Sequence, residues 1–279
     1  MADKSPVGVS EAAPERRQKR GDGMTNGVSI SGLSTELRTG LAFLTRLPLA
    51  SPATGEGAEL ARASWTFPIV GAGIGGFGAL VYWIANGLDL PHVVSGTLAV
   101  AATLLITGGL HEDGLADTAD GFGASGTKER RLDIMRDSQI GAYGASALII
   151  SFMLRAGAIA SLAGPALAVP ALIAAHAGAR AILPVFMRRV PNARPDGLSA
   201  EAGVPPQRSA VTAVLIGLVT LLLCLGLGAT FAAMAVLAVA IGVLAWLCIR
   251  QIGGQTGDVL GAVEQVSEIL ILLVAAASM

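Results

Sequence analysis

Apolar residues fall in long unbroken runs along the chain, and the polar residues are confined to the stretches between them. Runs of spanning length cover 66–88, 93–110, 142–163, 166–187 and 209–249. The last has no charged residue over its length and, as one straight helix, would reach about 60 Å, twice a hydrocarbon core of about 30 Å. It is therefore predicted to fold back on itself near Gly226 to Thr230, which makes six spans. The C-terminal stretch VSEILILLVAAASM is a candidate seventh, short in its wholly uncharged part. Residues 36–50, ELRTGLAFLTRLPLA, are amphipathic but too short to span, and suit a helix lying in the membrane interface. The expected fold is an all-α polytopic membrane bundle of six to seven transmembrane helices joined by polar loops.

Composition agrees. The 279 residues are 53% hydrophobic and 14% charged, with mean hydropathy +0.65, where a soluble domain carries about 25% charged residues. A net charge of −1 gives no reason to expect a nucleic-acid partner. Residues 1–35 read as a disordered leader, basic in part and without the apolar core of a secretory signal, and Met24 is an alternative start. Residues 36–279 form one membrane domain. Cys224 and Cys248 lie in apolar runs without ligand-spaced partners and read as packing residues.

The basic residues test the topology, because basic loops stay cytoplasmic. The N-terminal segment and the stretches 111–141, 188–208 and 251–264 hold almost all of them, and the turns near 89–92, 164–165 and 226–230 hold none. The expectation is a cytoplasmic N-terminus with every polar loop on the same side.

Candidate chemistry concentrates in GGLHEDGLADTADGFG, residues 108–123. Continued as helix, this stretch puts Asp113, Asp117 and Asp120 at i, i+4 and i+7 on one face, with Glu112 off it. Three carboxylates about 6 Å apart repel by roughly 3 kcal/mol per pair at an effective dielectric near 20, and no basic residue occurs between Gly96 and Thr127 to offset this. A solvated acidic helix end is the plainer alternative. A divalent cation would convert the repulsion into coordination, and an all-oxygen set favours magnesium, calcium or manganese. Gly114, Gly121 and Gly123 either admit a large ligand or end the helix. Gly71 and Gly75, spaced for close helix approach, are assigned to packing.

Further polar clusters follow in RRLDIMRDSQIGAYG, PNARPDGLS and GGQTGDVLG. The first contains Asp133, read as an interfacial helix residue, and Arg136 and Asp137, nearer the expected metal face. The other two combine glycine with one charged side chain, a pattern that presents backbone amides to phosphate and equally marks a turn. Within apolar runs, Arg180, with His176 one turn before it, is expected to reach a phosphate, whereas Arg155 is expected to snorkel outward. His92 reads as a turn residue.

HEDGLADTADGFG, IMRDSQIGAYG, ARPDGLS and GGQTGDVLGA, in this order and together with FLTRLP and FPIVGAGIG, resemble the cobalamin synthase family, also called adenosylcobinamide-GDP ribazoletransferases. The resemblance runs from about Glu36 to the end of the chain. It implies a bacterial inner-membrane enzyme that needs magnesium and joins α-ribazole or its 5′-phosphate to adenosylcobinamide-GDP. A hydroxyl of the 5,6-dimethylbenzimidazole riboside attacks the cobinamide-side phosphorus, GMP leaves, and adenosylcobalamin or its 5′-phosphate forms. Against that chemistry Asp113, Asp117 and Asp120 are assigned to the metal, and His111 or Asp137 to deprotonating or orienting the hydroxyl. Arg136, Arg180 and Arg194 are assigned to phosphate, with Asp258 a further ligand or base. A homo-oligomer or association with other cobalamin-assembly enzymes stays open. Rival readings are a CDP-alcohol phosphotransferase, an intramembrane prenyltransferase and a cation-coupled transporter, the last disfavoured by carboxylates clustered in one surface loop.

Overall fold

The computed structural model describes residues 30–49 and 57–278. The expected leader over 1–29 and the alternative start at Met24 lie outside the described residues. Every regular element is helical: α1 Ile30–Leu44, α2 Gly57–Ala63, a 3₁₀ turn at Ser64–Thr66, α3 Phe67–Gly87, α4 His92–Thr107, α5 Leu110–Gly123, α6 Lys128–Ile134, α7 Ala142–Ser161, α8 Pro165–Arg189, α9 Leu198–Ala202, α10 Gln207–Ile252 and α11 Gly257–Ser278. Helix α1 begins at Ile30, inside the segment expected to be disordered. Its inner face packs Leu37, Leu41 and Leu44 into the core, and Trp65 donates to Glu36 at 2.6 Å.

Five helices are long and apolar enough to cross a membrane, and α4 with α5 makes a sixth as a pair bent by 93°. One of the five is α11, so the C-terminal segment is of spanning length. Another is the 46-residue α10, whose helical backbone breaks at Gly226 (φ 76°), a left-handed conformation that glycine adopts without steric cost. Residues from both arms, Leu218 and Leu221 on one side and Met234 and Leu237 on the other, line one cavity against α8. The helix is therefore a hairpin, turned where its length required. Its two ends return to the same end of the bundle, Ser209 bonding Arg62 at 2.9 Å and Gly254 lying against Pro191. This is called the polar end below.

Small residues set the helix spacing. A Cβ on Gly71 or Gly75 would collide with the backbone of α8 at His176 and Leu172, so the packing role expected of these glycines holds. Gly114 and Gly261 face each other across α5 and α11, and a Cβ on Gly114 would meet the Asp258 backbone and one on Gly261 the His111 backbone. Gly114 thus serves helix approach. Gly108 and Gly109, with φ of 68° and 72°, make the turn from α4 into α5 that most side chains would disfavour.

One sequence expectation changes here. The acidic stretch is a packed helix of the bundle, with His111, Glu112, Gly114, Ala116 and Thr118 buried, rather than a surface loop. Its end at Asp120 meets the start of α7 and its beginning at Glu112 meets Arg155 far along the same helix, so α5 runs antiparallel to α7.

Candidate active site

Helical periodicity gives α5 two working faces. The outer one carries Asp113, exposed, and Asp117, half-buried, one turn apart. Neither forms an ion pair among the described residues. Asp120 is engaged differently, its two oxygens accepting the backbone N–H groups of Gly141 at 2.7 Å and Gly144 at 2.9 Å. A carboxylate against unpaired N–H groups at a helix start is favourable for both the hydrogen bonds and the helix dipole. Gly141 and Gly144 are glycines because a Cβ at either would strike this carboxylate.

Opposite Asp113, the first turn of α11 presents Asp258, whose Oδ2 accepts from Thr256 and lies 3.6 Å from Arg194 Nη2. Arg194 keeps Nε and Nη1 buried and without a partner, a costly state that an anionic ligand relieves. The loops carrying these two residues are stitched together. Gln255 N–H donates to Pro191 and Ala193 N–H to Gln255, both at 2.8 Å. Gln255 Nε2 donates to Asn192 Oδ1 at 2.8 Å, and Ser199 Oγ lies 3.0 Å from Asn192 Oδ1 and 2.9 Å from Gln255 Oε1. The two glycine-and-charge motifs, weak when taken singly, thus build one wall. Arg136 is also drawn to this wall, but its Nη2 is committed to both oxygens of Asp196 in an exposed pair, at 2.6 and 2.7 Å. Asp137 stands exposed after α6 and accepts the Gln139 N–H.

Behind the acidic face lies a buried network. Arg155 Nη1 donates to Glu112 at 3.0 Å and Glu268 at 3.2 Å. His176 Nδ1 lies 3.0 Å from Glu268. Arg180 pairs with Glu264 and approaches Nδ1 of His111 at 3.4 Å. Ser151 donates to Gln265, which donates to Glu264. Arg155 is therefore not snorkelling. It is 1% exposed and held by two carboxylates from α5 and α11. Arg180, also 1% exposed, pairs with Glu264, so the residue expected to reach a phosphate lies in this buried network.

Among the described residues, the one triple of potential metal ligands with donor atoms within 4.8 Å is His176, Glu264 and Glu268. Two arginines already neutralise it, which argues for a structural network over a cation site. Asp113 and Asp117 offer the opposite situation, oxygen donors without a counter-charge.

A cavity of about 100 Å³ opens beside this face. Its walls include His111, Asp113 and Asp258 together with side chains of α1, α2, α3, α8 and α9. Of the residues expected to act, the structure therefore brings together His111, Asp113 and Asp258, with Asp117 and Arg194 adjoining. Asp137 and Arg180 are not among the residues lining it.

Residues 36–276 match the family model described as cobalamin-5-phosphate synthase. The chain belongs to that family. It is 53% identical over 249 residues to an adenosylcobinamide-GDP ribazoletransferase of Bradyrhizobium diazoefficiens, covering 89% of this chain and 96% of the relative. A protein of that name from Mesorhizobium japonicum is 46% identical, covering 86% and 92%, and one from Azorhizobium caulinodans 43%, covering 87% and 96%. No solved structure matches. Family membership, and not a surface position of the carboxylates, is what sets the transporter reading aside, since α5 is the second half of a broken helix pair.

Sequence reasoning missed Glu264, Gln265 and Glu268 by treating the first of these as loop and the last as the start of a doubtful span. The available signal was two acidic residues at i, i+4 in an apolar helix, matched by His176 and Arg180 at the same spacing, since ionisable groups in such helices pair with one another.

Proposed function

We propose that this chain is an adenosylcobinamide-GDP ribazoletransferase, with α-ribazole or its 5′-phosphate as acceptor and GMP as leaving group. The observation that carries the reading within the family is the cleft lined by Asp113 of α5 and Asp258 of α11, with Arg194 adjoining it, 3.6 Å from Asp258 and with two buried N–H groups left without a partner. A riboside hydroxyl forms the new O–P bond, the phosphoanhydride P–O bond breaks, and the electron pair leaves with GMP. Arg194 donates its free N–H groups to phosphoryl oxygens, where a guanidinium binds by charge and by fork geometry. His111, which borders the cavity, is favoured over Asp137 to receive or orient the hydroxyl proton.

The donor chemistry at Asp113 and Asp117 fits magnesium: carboxylate oxygens, one exposed and one half-buried, with no arginine or lysine paired to them. These two residues would hold the ion with Asp258 opposite, and it would neutralise charge on the diphosphate oxygens. Asp120 supports the set from its place against α7. The polar end is assigned to the cytoplasmic side of a bacterial inner membrane on the distribution of basic residues.

The test is GMP release from adenosylcobinamide-GDP by purified protein in detergent, with and without α-ribazole and magnesium. Release that requires both supports the reading. No release under these conditions refutes it.

A further inference from the structure

The cavity beside Asp113 is unlike a nucleotide site over most of its wall. Phe43, Phe67, Leu110, Leu183, Met187 and Leu260, from five different helices, make up most of its apolar part, and Leu60 of α2 and Leu198 of α9 complete it. Phe43 and Phe67 are stacked, with ring centroids 5.9 Å apart and planes inclined by 16°. Its ionisable groups are His111, Asp113 and Asp258. Ser199 is also present, but its hydroxyl lies within hydrogen-bond distance of Asn192 and Gln255. The result is a small apolar slot bordered by carboxylates.

Three portions of the substrates named above compete for it, and their chemistry separates them. The corrin ring is far too large for about 100 Å³, since even drug-sized ligands fill sites of about 300–1,000 Å³. Guanine presents acceptors at O6 and N7 as well as an exocyclic amine; the carboxylates could accept from its N–H groups, but O6 and N7 would face the apolar side chains without donors, at about 1–3 kcal/mol each in a water-free site. A fused aromatic base whose benzo edge carries only methyl groups leaves no such debt along the apolar wall, its one free ring nitrogen lying in the ring that bears the sugar, and flat rings pack well along aromatic side chains.

We propose that this slot is the subsite for the dimethylbenzimidazole base of the riboside acceptor. The inference rests on the ribazoletransferase reading and assigns the acceptor's place within it. With the base in the slot, the sugar emerges toward Asp113 and Asp258, where the hydroxyl meets the diphosphate. Specificity for the base then comes from apolar shape, and guanine is held elsewhere.

The experiment measures binding and turnover separately on the full chain in detergent. Isothermal titration gives the Kd of α-ribazole and of adenosine, whose base has a polar edge, and initial rates give KM for each substrate. Leu198 borders the slot while 57% exposed, so Leu198→Trp narrows the site with little risk to folding. Met187→Phe narrows it from α8. The expected result is tighter binding of α-ribazole than of adenosine by at least about tenfold, the scale on which apolar pockets discriminate. Either variant is expected to raise the α-ribazole Kd and KM by about tenfold with KM for adenosylcobinamide-GDP within about twofold. An α-ribazole Kd unchanged in both folded variants, a KM effect falling on adenosylcobinamide-GDP instead, or no α-ribazole binding to the wild type would each overturn the assignment. Wild-type protein that binds α-ribazole with this pattern but releases no GMP would refute the functional reading and leave the base subsite standing.

Discussion

Arg155 and Glu112, 43 residues apart in sequence, meet at 3.0 Å in the interior of the bundle. Arg155 there is 1% exposed and holds Glu268 as well. The acidic helix α5 is thereby tied to α7 and α11 on its buried face, while its other face presents Asp113 and Asp117. The charged groups proposed to act in the reaction and those that hold the scaffold share one helix.

Removing one partner of such a network leaves the others as uncompensated buried charges, which costs about 3–5 kcal/mol. Arg155→Met is therefore expected to lower the thermal midpoint of detergent-solubilised protein sharply. Adding Glu112→Gln removes one of the stranded charges and recovers part of the loss. A melt indistinguishable from wild type in the single variant would contradict the network.

Asp113 and Asp120 are expected to separate by what they do. Asp120→Ala deprives Gly141 and Gly144 of their hydrogen-bond acceptor and lowers stability by about 1–3 kcal/mol. Asp113→Ala, at an exposed position without an ion-pair partner, leaves stability within about 0.5 kcal/mol while abolishing most GMP release. Thermal melts and rates on the two variants check the contrast.

For magnesium, chelation by EDTA is expected to stop GMP release reversibly. Asp117→Asn is expected to raise the magnesium concentration needed for half-maximal rate. Rates titrated against magnesium decide this, and full activity in EDTA would exclude the assignment.

Arg194 and Arg136 make a paired comparison. Arg194→Ala removes N–H groups that have no internal partner and is expected to raise KM for adenosylcobinamide-GDP by about tenfold or more, the worth of one charge-assisted hydrogen bond. Arg136→Ala breaks only an exposed pair with Asp196, worth about 0–1 kcal/mol, and is expected to change KM by less.

At the contact of α5 with α11, Gly261→Leu forces a side chain into the His111 backbone. Overpacking of this kind costs about 1–3 kcal/mol, and because the contact lies beside Asp113 and Asp258 the variant is also expected to lose activity. A stable, fully active Gly261→Leu protein would show that the two helices need not approach so closely.

The hairpin at Gly226 was legible because length alone forbade a straight helix, and the common face of Asp113 and Asp117 because a period of 3.6 residues places them there. Asp120 lies on that face too, but its engagement with Gly141 and Gly144 depends on where α7 begins in space. Arg155 was misread for a related reason. Position along an apolar helix suggested snorkelling, and only the neighbouring helices supplied Glu112 and Glu268.

From sequence alone, the covalent order and hydrophobic pattern determined the all-helical class, most of the spanning segments, the glycine contacts of α3 and the group of motifs that carries the chemistry. These follow from local periodicity and from the cost of placing polar groups in an apolar medium. Tertiary structure decided which charges face the cavity and which are sealed behind it, joined Arg194 to Asp258, and formed the apolar slot from seven helices. Such pairings depend on distances between segments far apart in the chain, and no local pattern contains them.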